Sequence, residues 1–232
     1  AAYMDTICSN DNVWKNPAYM SAILHYISDI KFGRKITVMM PYSNALKEVS
    51  DWFAQLWAES LGKKHSRTGK TVHEGLTPVK ALGATDQHSQ VQLYIEGPFD
   101  KVITFIRVEK FRNDVTMPSN FNEEESMNYL SNKKMSTLLN AEQTATEMAL
   151  AKNQRPSMTI TLPEISEFTL GQLIYLLEVE TAFIGELYNI NAFDQPGVEL
   201  GKILTYAFMG RKGYKDKLNQ IKLSKGIKKF VI

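Results

Sequence analysis

Three short runs of apolar, largely β-branched residues stand out against a chain that is otherwise patterned with helical spacing. They lie at residues 36–40, 102–108 and 158–162, and Pro41 and Pro163 end the first and the last of them. Runs of this length that are apolar throughout are typical of strands covered on both faces of a sheet. The pattern therefore predicts three buried strands.

The segments around these runs carry apolar residues at intervals of three and four, the spacing of an amphipathic helix. In the first segment Asn16 and Pro17 are a favourable helix start. The apolar residues that follow share one face: Met20, Ile23, Leu24, Ile27 and Ile30. Ser43 can cap the second helix, which ends before Gly62. Helices are predicted over residues 18–30, 44–61, 85–97, 135–151, 169–188 and 196–209.

Two segments have neither period. Residues 63–80 are basic and polar, which predicts a loop, and residues 111–134 are polar with three consecutive glutamates at 123–125, which predicts a surface excursion. Residues 169–188 are apolar on most sides, as expected of a helix buried between layers. The helix that Pro196 starts is likewise predicted to belong to the core.

Strands separated by helices imply crossover connections and a mostly parallel sheet covered on both faces. The predicted fold is therefore α/β, a three-layer αβα sandwich. It divides into a helical lead-in at 1–33, the α/β domain at 34–210 and a basic tail at 211–232. In such sheets ligands bind at the carboxyl ends of the strands.

Composition narrows the function classes. A net charge of +2 gives no reason to expect nucleic acid or a membrane surface as the main partner, and no apolar run approaches the ~20 residues of a membrane span. The only cysteine, Cys8, excludes an internal disulfide and fits a reducing cytosol. The N-terminus has no signal-peptide pattern. No cluster has metal-ligand spacing, so no metal is expected.

The tail allows two interpretations. Residues 211–232 hold eight Lys or Arg residues against one acid, Asp216. An arm that attracts RNA or phosphate is one interpretation, and an exposed, partly amphipathic C-terminal helix is the other.

Three segments carry a family resemblance: WFAQLWAESLGK at the end of the second helix, TPVKALGATDQHSQVQLYIEGPFDK at 77–101, and LYNINAFDQPGVELGK at 187–202. Together they resemble the glucose-6-phosphate isomerase family. That family has a further Gly-Gly-Arg-Phe/Tyr-Ser signature and a Ser/Thr-rich loop that binds the substrate phosphate, and neither is present in these 232 residues. The resemblance implies that the chain is the C-terminal portion of such an enzyme.

Glu59 is the candidate base. Moving a proton between adjacent carbons of an aldose requires a base near one carbon, and a carboxylate serves when its environment favours the neutral form. Glu59 lies in the last turn of a predicted helix, where the helix dipole disfavours negative charge. In the family resemblance it matches the catalytic base. Apart from that resemblance, a glutamate near a helix end is usually a solvated surface residue.

His88 is the candidate for ring opening. It lies in TDQHSQ at the predicted start of a helix, where the positive end of the dipole favours a neutral imidazole. The resemblance implies that it assists ring opening in the active site of the neighbouring subunit. A capping or core histidine is the alternative. His25 matches no functional position and is assigned to a helix face.

Gln195 and Lys202 are seven residues apart, two helical turns, so they should project from one face. Gln195 lies at the helix entrance, where it can meet sugar hydroxyls, and the resemblance makes Lys202 a catalytic lysine near the ring oxygen. The alternative for a lone lysine on a helix is simple solvent exposure.

The resemblance implies interconversion of glucose 6-phosphate and fructose 6-phosphate through an enediol(ate), with no cofactor, in a cytoplasmic homodimer of glycolysis and gluconeogenesis. We expect the 232-residue chain by itself to have little or no turnover, because the phosphate loop lies outside it. A non-catalytic phosphosugar sensor is the alternative function.

Overall fold

Four parallel strands form the sheet around which the fold is built, in the order β4-β1-β5-β6. Their bounds are Ile36–Pro41 for β1, Thr77–Lys80 for β4, Lys101–Lys110 for β5 and Ser157–Glu164 for β6. Ile36 lies opposite both Thr77 and Lys101, so β1 is a central strand. The three predicted strands are confirmed as β1, β5 and β6, each a little longer than its apolar run.

The structure is a computed structural model that describes residues 1–119, 123–214 and 216. It forms two compact units, residues 1–192 and 193–232. The sheet belongs to the first unit. Seven helices of that unit are Ala2–Cys8 (α1), Pro17–Phe32 (α2), Lys47–Leu61 (α3), Val91–Glu96 (α4), Glu125–Asn128 (α5), Met135–Lys152 (α6) and Glu167–Leu187 (α7).

Helices cover both faces of the sheet. On one face α2, α3 and α7 enclose a core that includes Met39, Trp57 and Ile106, all nearly inaccessible to solvent. On the other face α4 and α6 close over Val38 and Phe105. Alternate residues of one strand therefore point into different cores, as two-sided burial requires. The predicted three-layer αβα fold with a parallel sheet is confirmed.

The loop predicted for residues 63–80 is wrong. This segment contains three short strands: Lys63–His65 (β2), Thr71–Glu74 (β3) and the sheet strand β4. β2 and β3 pair with each other in an antiparallel ribbon. β4 is an edge strand of four residues, TPVK, so it needs neither a long apolar run nor every N–H that a central strand requires, and Pro78 is tolerated there. Its polar sequence concealed it.

The predicted helices at 18–30, 135–151 and 169–188 are confirmed as α2, α6 and α7. Ser43 does not cap the second helix, because a short 3₁₀ turn at Asn44–Leu46 intervenes and the Ser43 side chain makes no capping hydrogen bond. In α2 the buried residues are Ala18, Ala22, His25 and Asp29, whereas Leu24 and Ile30 of the apolar face are exposed.

The helix α7 is long and apolar enough, by length and composition alone, to match a membrane-spanning helix. It packs against α1, α2 and α3 and carries the buried carboxylate of Glu180. A core helix passes the same test of length and composition.

The described part of the excursion at 111–134 is mostly exposed and contains the short helix α5. The second unit contains α8, Pro196–Phe208, which confirms the predicted helix. The expectation that α8 is a core helix is wrong, because Ala207 is its one buried residue. The division at 33 and 210 stays a prediction. Most of the basic tail, residue 215 and residues 217–232, lies outside the described residues.

Candidate active site

Glu59 lies in the last turn of α3, as predicted, and its side chain is partly buried. The Gln55 side chain, one turn earlier, donates a long hydrogen bond to Glu59 Oε1 at 3.4 Å. The buried Lys63 ammonium donates to the carbonyl oxygens of Glu59, at 2.6 Å, and of Ser60, at 2.9 Å. This cation opposes the negative end of the helix dipole, so two contributions of opposite sign act on the Glu59 carboxylate.

His88 is exposed in a turn, and the prediction that it lies in the first turn of an α-helix is wrong. A 3₁₀ turn at Thr85–Gln87 precedes it, and α4 begins only at Val91. The helix does not start at Thr85 because the Asp86 side chain bonds local groups in a non-helical turn, a competition that is common for Asp. The histidine is therefore presented to solvent from a tight loop.

Asp86 fixes this loop. Its carboxylate accepts hydrogen bonds from the Leu82 backbone N–H at 2.7 Å and from Ser89 Oγ at 2.6 Å. Burial acts to raise the pKa of Asp86, but the hydrogen bonds from Ser89, Leu82 and Gln90 outweigh it, so the pKa is lowered. The charged form is thus favoured, and it ties together the two ends of the turn that carries His88.

Tyr42 supports the loop from below. Its ring is fully buried, and a Cβ placed on Gly83 would lie 2.4 Å from that ring, so only glycine permits this close approach. The Tyr42 hydroxyl donates to Gln87 Oε1 at 3.0 Å. Burial raises the pKa of Tyr42 to about 12, which keeps the hydroxyl protonated as a donor at neutral pH.

We expect Asp86→Asn to loosen the His88 loop, because an amide has one acceptor oxygen for two donors. Amide hydrogen exchange over residues 82–90 should become about tenfold faster at pH 7, since a charge-assisted hydrogen bond is lost. The lowered pKa means that the loop is stabilised at neutral pH and loses this contribution as pH falls through that value. Asp114→Asn is the control: Asp114 accepts two similar bonds from Ser136 in another loop. Equal exchange in wild type and Asp86→Asn would contradict the assignment.

Within one chain His88 lies towards the carboxyl ends of the sheet strands and Glu59 towards their amino ends. Lys80, the last residue of β4, forms an ion pair with Asp51 near the start of α3, so the carboxyl edge of the sheet meets the start of that helix. Asp86 lines a cleft with Asp51 and Lys80, which places the His88 loop at the same edge. Glu59 is eight residues beyond Asp51, ~12 Å further along the helix axis.

Gln195 and Lys202 belong to the second unit. Gln195 is the N-cap residue of α8 and its side chain makes no capping bond, while Lys202 lies in the second turn and donates to Glu199 Oε1 at 2.8 Å. Both residues are exposed. Their separation of seven residues, two helical turns, places them on one side of α8, as predicted.

Sequence reasoning missed the residues that support the two first-unit candidates. The contact of Gln55 with Glu59 could have been predicted from the sequence, because Gln55 precedes Glu59 by four residues on a helix. The contacts of Asp86 and Tyr42 could not have been predicted, since they join segments whose local structure the sequence did not reveal. Among the described residues, no group of three or more His, Cys, Asp or Glu side chains could hold a metal ion.

Comparison with known proteins covers nearly the whole chain. A family model described as phosphoglucose isomerase matches residues 1–224. The chain is 47% identical over 225 residues to the glucose-6-phosphate isomerase of Carboxydothermus hydrogenoformans, across 97% of this chain and 48% of that protein. It is 44% identical over 202 residues to that of Methanocaldococcus jannaschii, across 86% of this chain and 46% of that one. The chain thus spans about half the length of the curated relatives it matches.

Solved structures agree. A hypothetical protein of Thermus thermophilus superposes with a TM-score of 0.82 at 39% identity, over 90% of this chain and 48% of that one. A glucose-6-phosphate isomerase of Chlamydia trachomatis superposes with a TM-score of 0.80 at 26% identity, over 97% and 45%. The resemblance carried by the three sequence segments is confirmed, and the chain belongs to the phosphoglucose isomerase family.

Proposed function

We propose that this chain is the C-terminal half of an enzyme that interconverts glucose 6-phosphate and fructose 6-phosphate. The observation that carries the proposal is the family match over residues 1–224 together with Glu59 at the partly buried end of α3. The reaction moves one proton from C2 to C1 of the open-chain sugar and a second from O2 to O1, so it needs a base for the carbon proton and a further group for the hydroxyl protons.

Glu59 is the base in this proposal. It removes the C2 proton of the aldose, which gives an enediol(ate), and returns the proton to C1. O1 gains a proton and the C2 hydroxyl loses one, and the ketose results. Gln55 donates to the Glu59 carboxylate and so orients it. His88 and Lys202 carry out ring opening and the proton transfers at the hydroxyls, and Gln195 binds sugar hydroxyls. The steps need no redox cofactor, because the substrate and product differ only in the positions of hydrogens.

The geometry of one chain supports a homodimer. Glu59 and His88 lie towards opposite ends of the sheet strands, a separation that favours their serving different sugar rings. The family resemblance assigns the histidine to the neighbouring subunit, and this separation supports that assignment. We propose a cytoplasmic dimer in which each site combines Glu59 of one subunit with His88 of the other.

The test compares two chains in a coupled assay that detects fructose 6-phosphate. The first is the 232-residue chain, and the second joins the N-terminal half of the Carboxydothermus hydrogenoformans relative to residues 1–232. We expect turnover from the joined chain and at least 100-fold less from the 232-residue chain, because one missing electrostatic donor alone costs roughly 100- to 1000-fold.

Near-normal specific activity from the 232-residue chain would contradict the proposed dependence on the other half. A folded, dimeric joined chain with no isomerase activity would contradict the proposed reaction. Circular dichroism and sedimentation of both chains establish that each is folded before the rates are compared.

A further inference from the structure

The order in which the chain adds strands to the sheet reverses between β1 and β5. From β1 the chain continues through α3 to β4 on one side, and from β5 it continues through α6 to β6 on the other. The loops that leave β1 and β5 therefore separate and open a crevice at the carboxyl ends of these two adjacent strands. In open α/β sheets such a crevice is the usual place for a ligand.

A cavity of about 320 Å³ lies in this crevice. Ser43 and Ala45 line it from the loop after β1, and Lys110, Arg112 and Asn113 line it from the end of β5 and the loop that follows. The volume is at the lower end of the range for small-molecule sites. None of the four candidate isomerase residues lines this cavity.

The polar groups of the cavity favour an anion. Ser43 is 6% exposed, and its hydroxyl does not cap the helical turn that follows it, so it is available on the cavity wall. Arg112 and Lys110 supply two positive charges. A guanidinium presents paired N–H donors that match the oxygens of a phosphate, and an ammonium adds a point charge.

Acidic groups near the cavity leave this positive character in place. Glu164 Oε2 lies 3.9 Å from Lys110 Nζ, and both side chains are mostly exposed, so the pair is weak. Glu164 and Glu167 line the adjoining groove rather than this cavity. Within the described residues, no carboxylate lies within ion-pair distance of Arg112.

We propose that the cavity between β1 and β5 binds the phosphate group of a small phosphorylated molecule. Ser43 and Asn113 donate to its oxygens and Arg112 and Lys110 neutralise its charge. The site does not rest on the proposed isomerase chemistry, and its donors come entirely from the first unit.

The test is a titration of the ¹⁵N-labelled 232-residue chain at constant ionic strength with inorganic phosphate, with glucose 6-phosphate and with sodium chloride. We expect saturable shifts of the Ser43, Ala45 and Asn113 amides with phosphate or the sugar phosphate and none with chloride. A response to inorganic phosphate alone assigns the site to free phosphate, and a tighter response to glucose 6-phosphate assigns it to a sugar phosphate. Linear or absent shifts with both phosphates would overturn the proposal.

Three variants locate the binding. Arg112→Gln should weaken it at least tenfold, and Glu164→Gln should tighten it several-fold, because the competing carboxylate is removed from Lys110. Lys152→Gln removes an exposed charge at the end of α6 and should change nothing. Equal affinity in Arg112→Gln and wild type would exclude this cavity. Glu59→Gln should leave phosphate binding intact, so the outcome is separate from that of the isomerase assay.

Discussion

Replacing Glu59 with glutamine in the joined full-length chain is expected to lower kcat by about 1000-fold, since positioned general acid–base groups contribute roughly 100- to 10,000-fold. The substitution keeps the shape of the side chain and an acceptor for the Gln55 amide, but it removes the group that takes the C2 proton. Sugar-phosphate binding should persist, so KM should change much less than kcat.

Glu96→Gln is the matched control, because Glu96 is also a glutamate in the last turn of a helix, exposed at the end of α4. It should retain full activity. The same pair of variants discriminates the isomerase from a phosphosugar sensor, whose ligand response would not depend on a base. Loss of binding together with turnover in Glu59→Gln would contradict the assigned role, as would unchanged kcat.

The buried strands could be predicted from the sequence because burial on both faces forces a continuous apolar run, which is visible without any tertiary information. β4 could not, because an edge strand of four residues leaves almost no pattern. The prediction of the buried face of α2 failed for another reason. Its side against the sheet and α7 carries Ala22, His25 and Asp29, so hydrophobic spacing indicated the wrong face.

The candidate site likewise has features that the sequence could predict and features that it could not. Glu59 could be placed in a final helical turn from the glycine that ends α3 and the apolar spacing before it. The turn that carries His88 could not be distinguished from a helix, because the decisive bonds join Asp86 to Leu82 and Ser89. The positions of Glu59 and His88 at opposite ends of the strands could be recognised only once β4 was known, and the sequence did not predict β4.

The polar face of α2 contains a buried histidine–glutamate pair. His25 and Glu180 have side chains 3% and 4% exposed, and His25 Nδ1 lies 3.2 Å from Glu180 Oε1. Ser21 Oγ donates to the same carboxylate at 2.5 Å, and His25 Nε2 lies 3.1 Å from Thr37 Oγ1. The network joins α2 to α7 and β1. Its Nδ1 faces two acceptors, the Glu180 carboxylate and the Ser21 carbonyl, so that nitrogen carries hydrogen.

Breaking this pair on one side should be strongly destabilising. His25→Leu or Glu180→Leu leaves a buried polar partner without its counterpart, which costs about 3–5 kcal/mol of unfolding free energy. In His25→Leu/Glu180→Leu both polar partners are gone, so the double variant should lose clearly less than the sum of the single losses. Urea unfolding followed by tryptophan fluorescence measures each value, and Trp57, whose ring packs edge-on against His25 at 5.3 Å, reports on the site.

The control is Glu186→Gln, which removes one partner of the exposed Arg67–Glu186 pair and should cost less than about 1 kcal/mol. Strict additivity of the two leucine substitutions would show that His25 and Glu180 do not act as a pair. A polar network of this kind fixes which face of α2 packs against the sheet, although Leu24 and Ile30 of the predicted apolar face remain exposed.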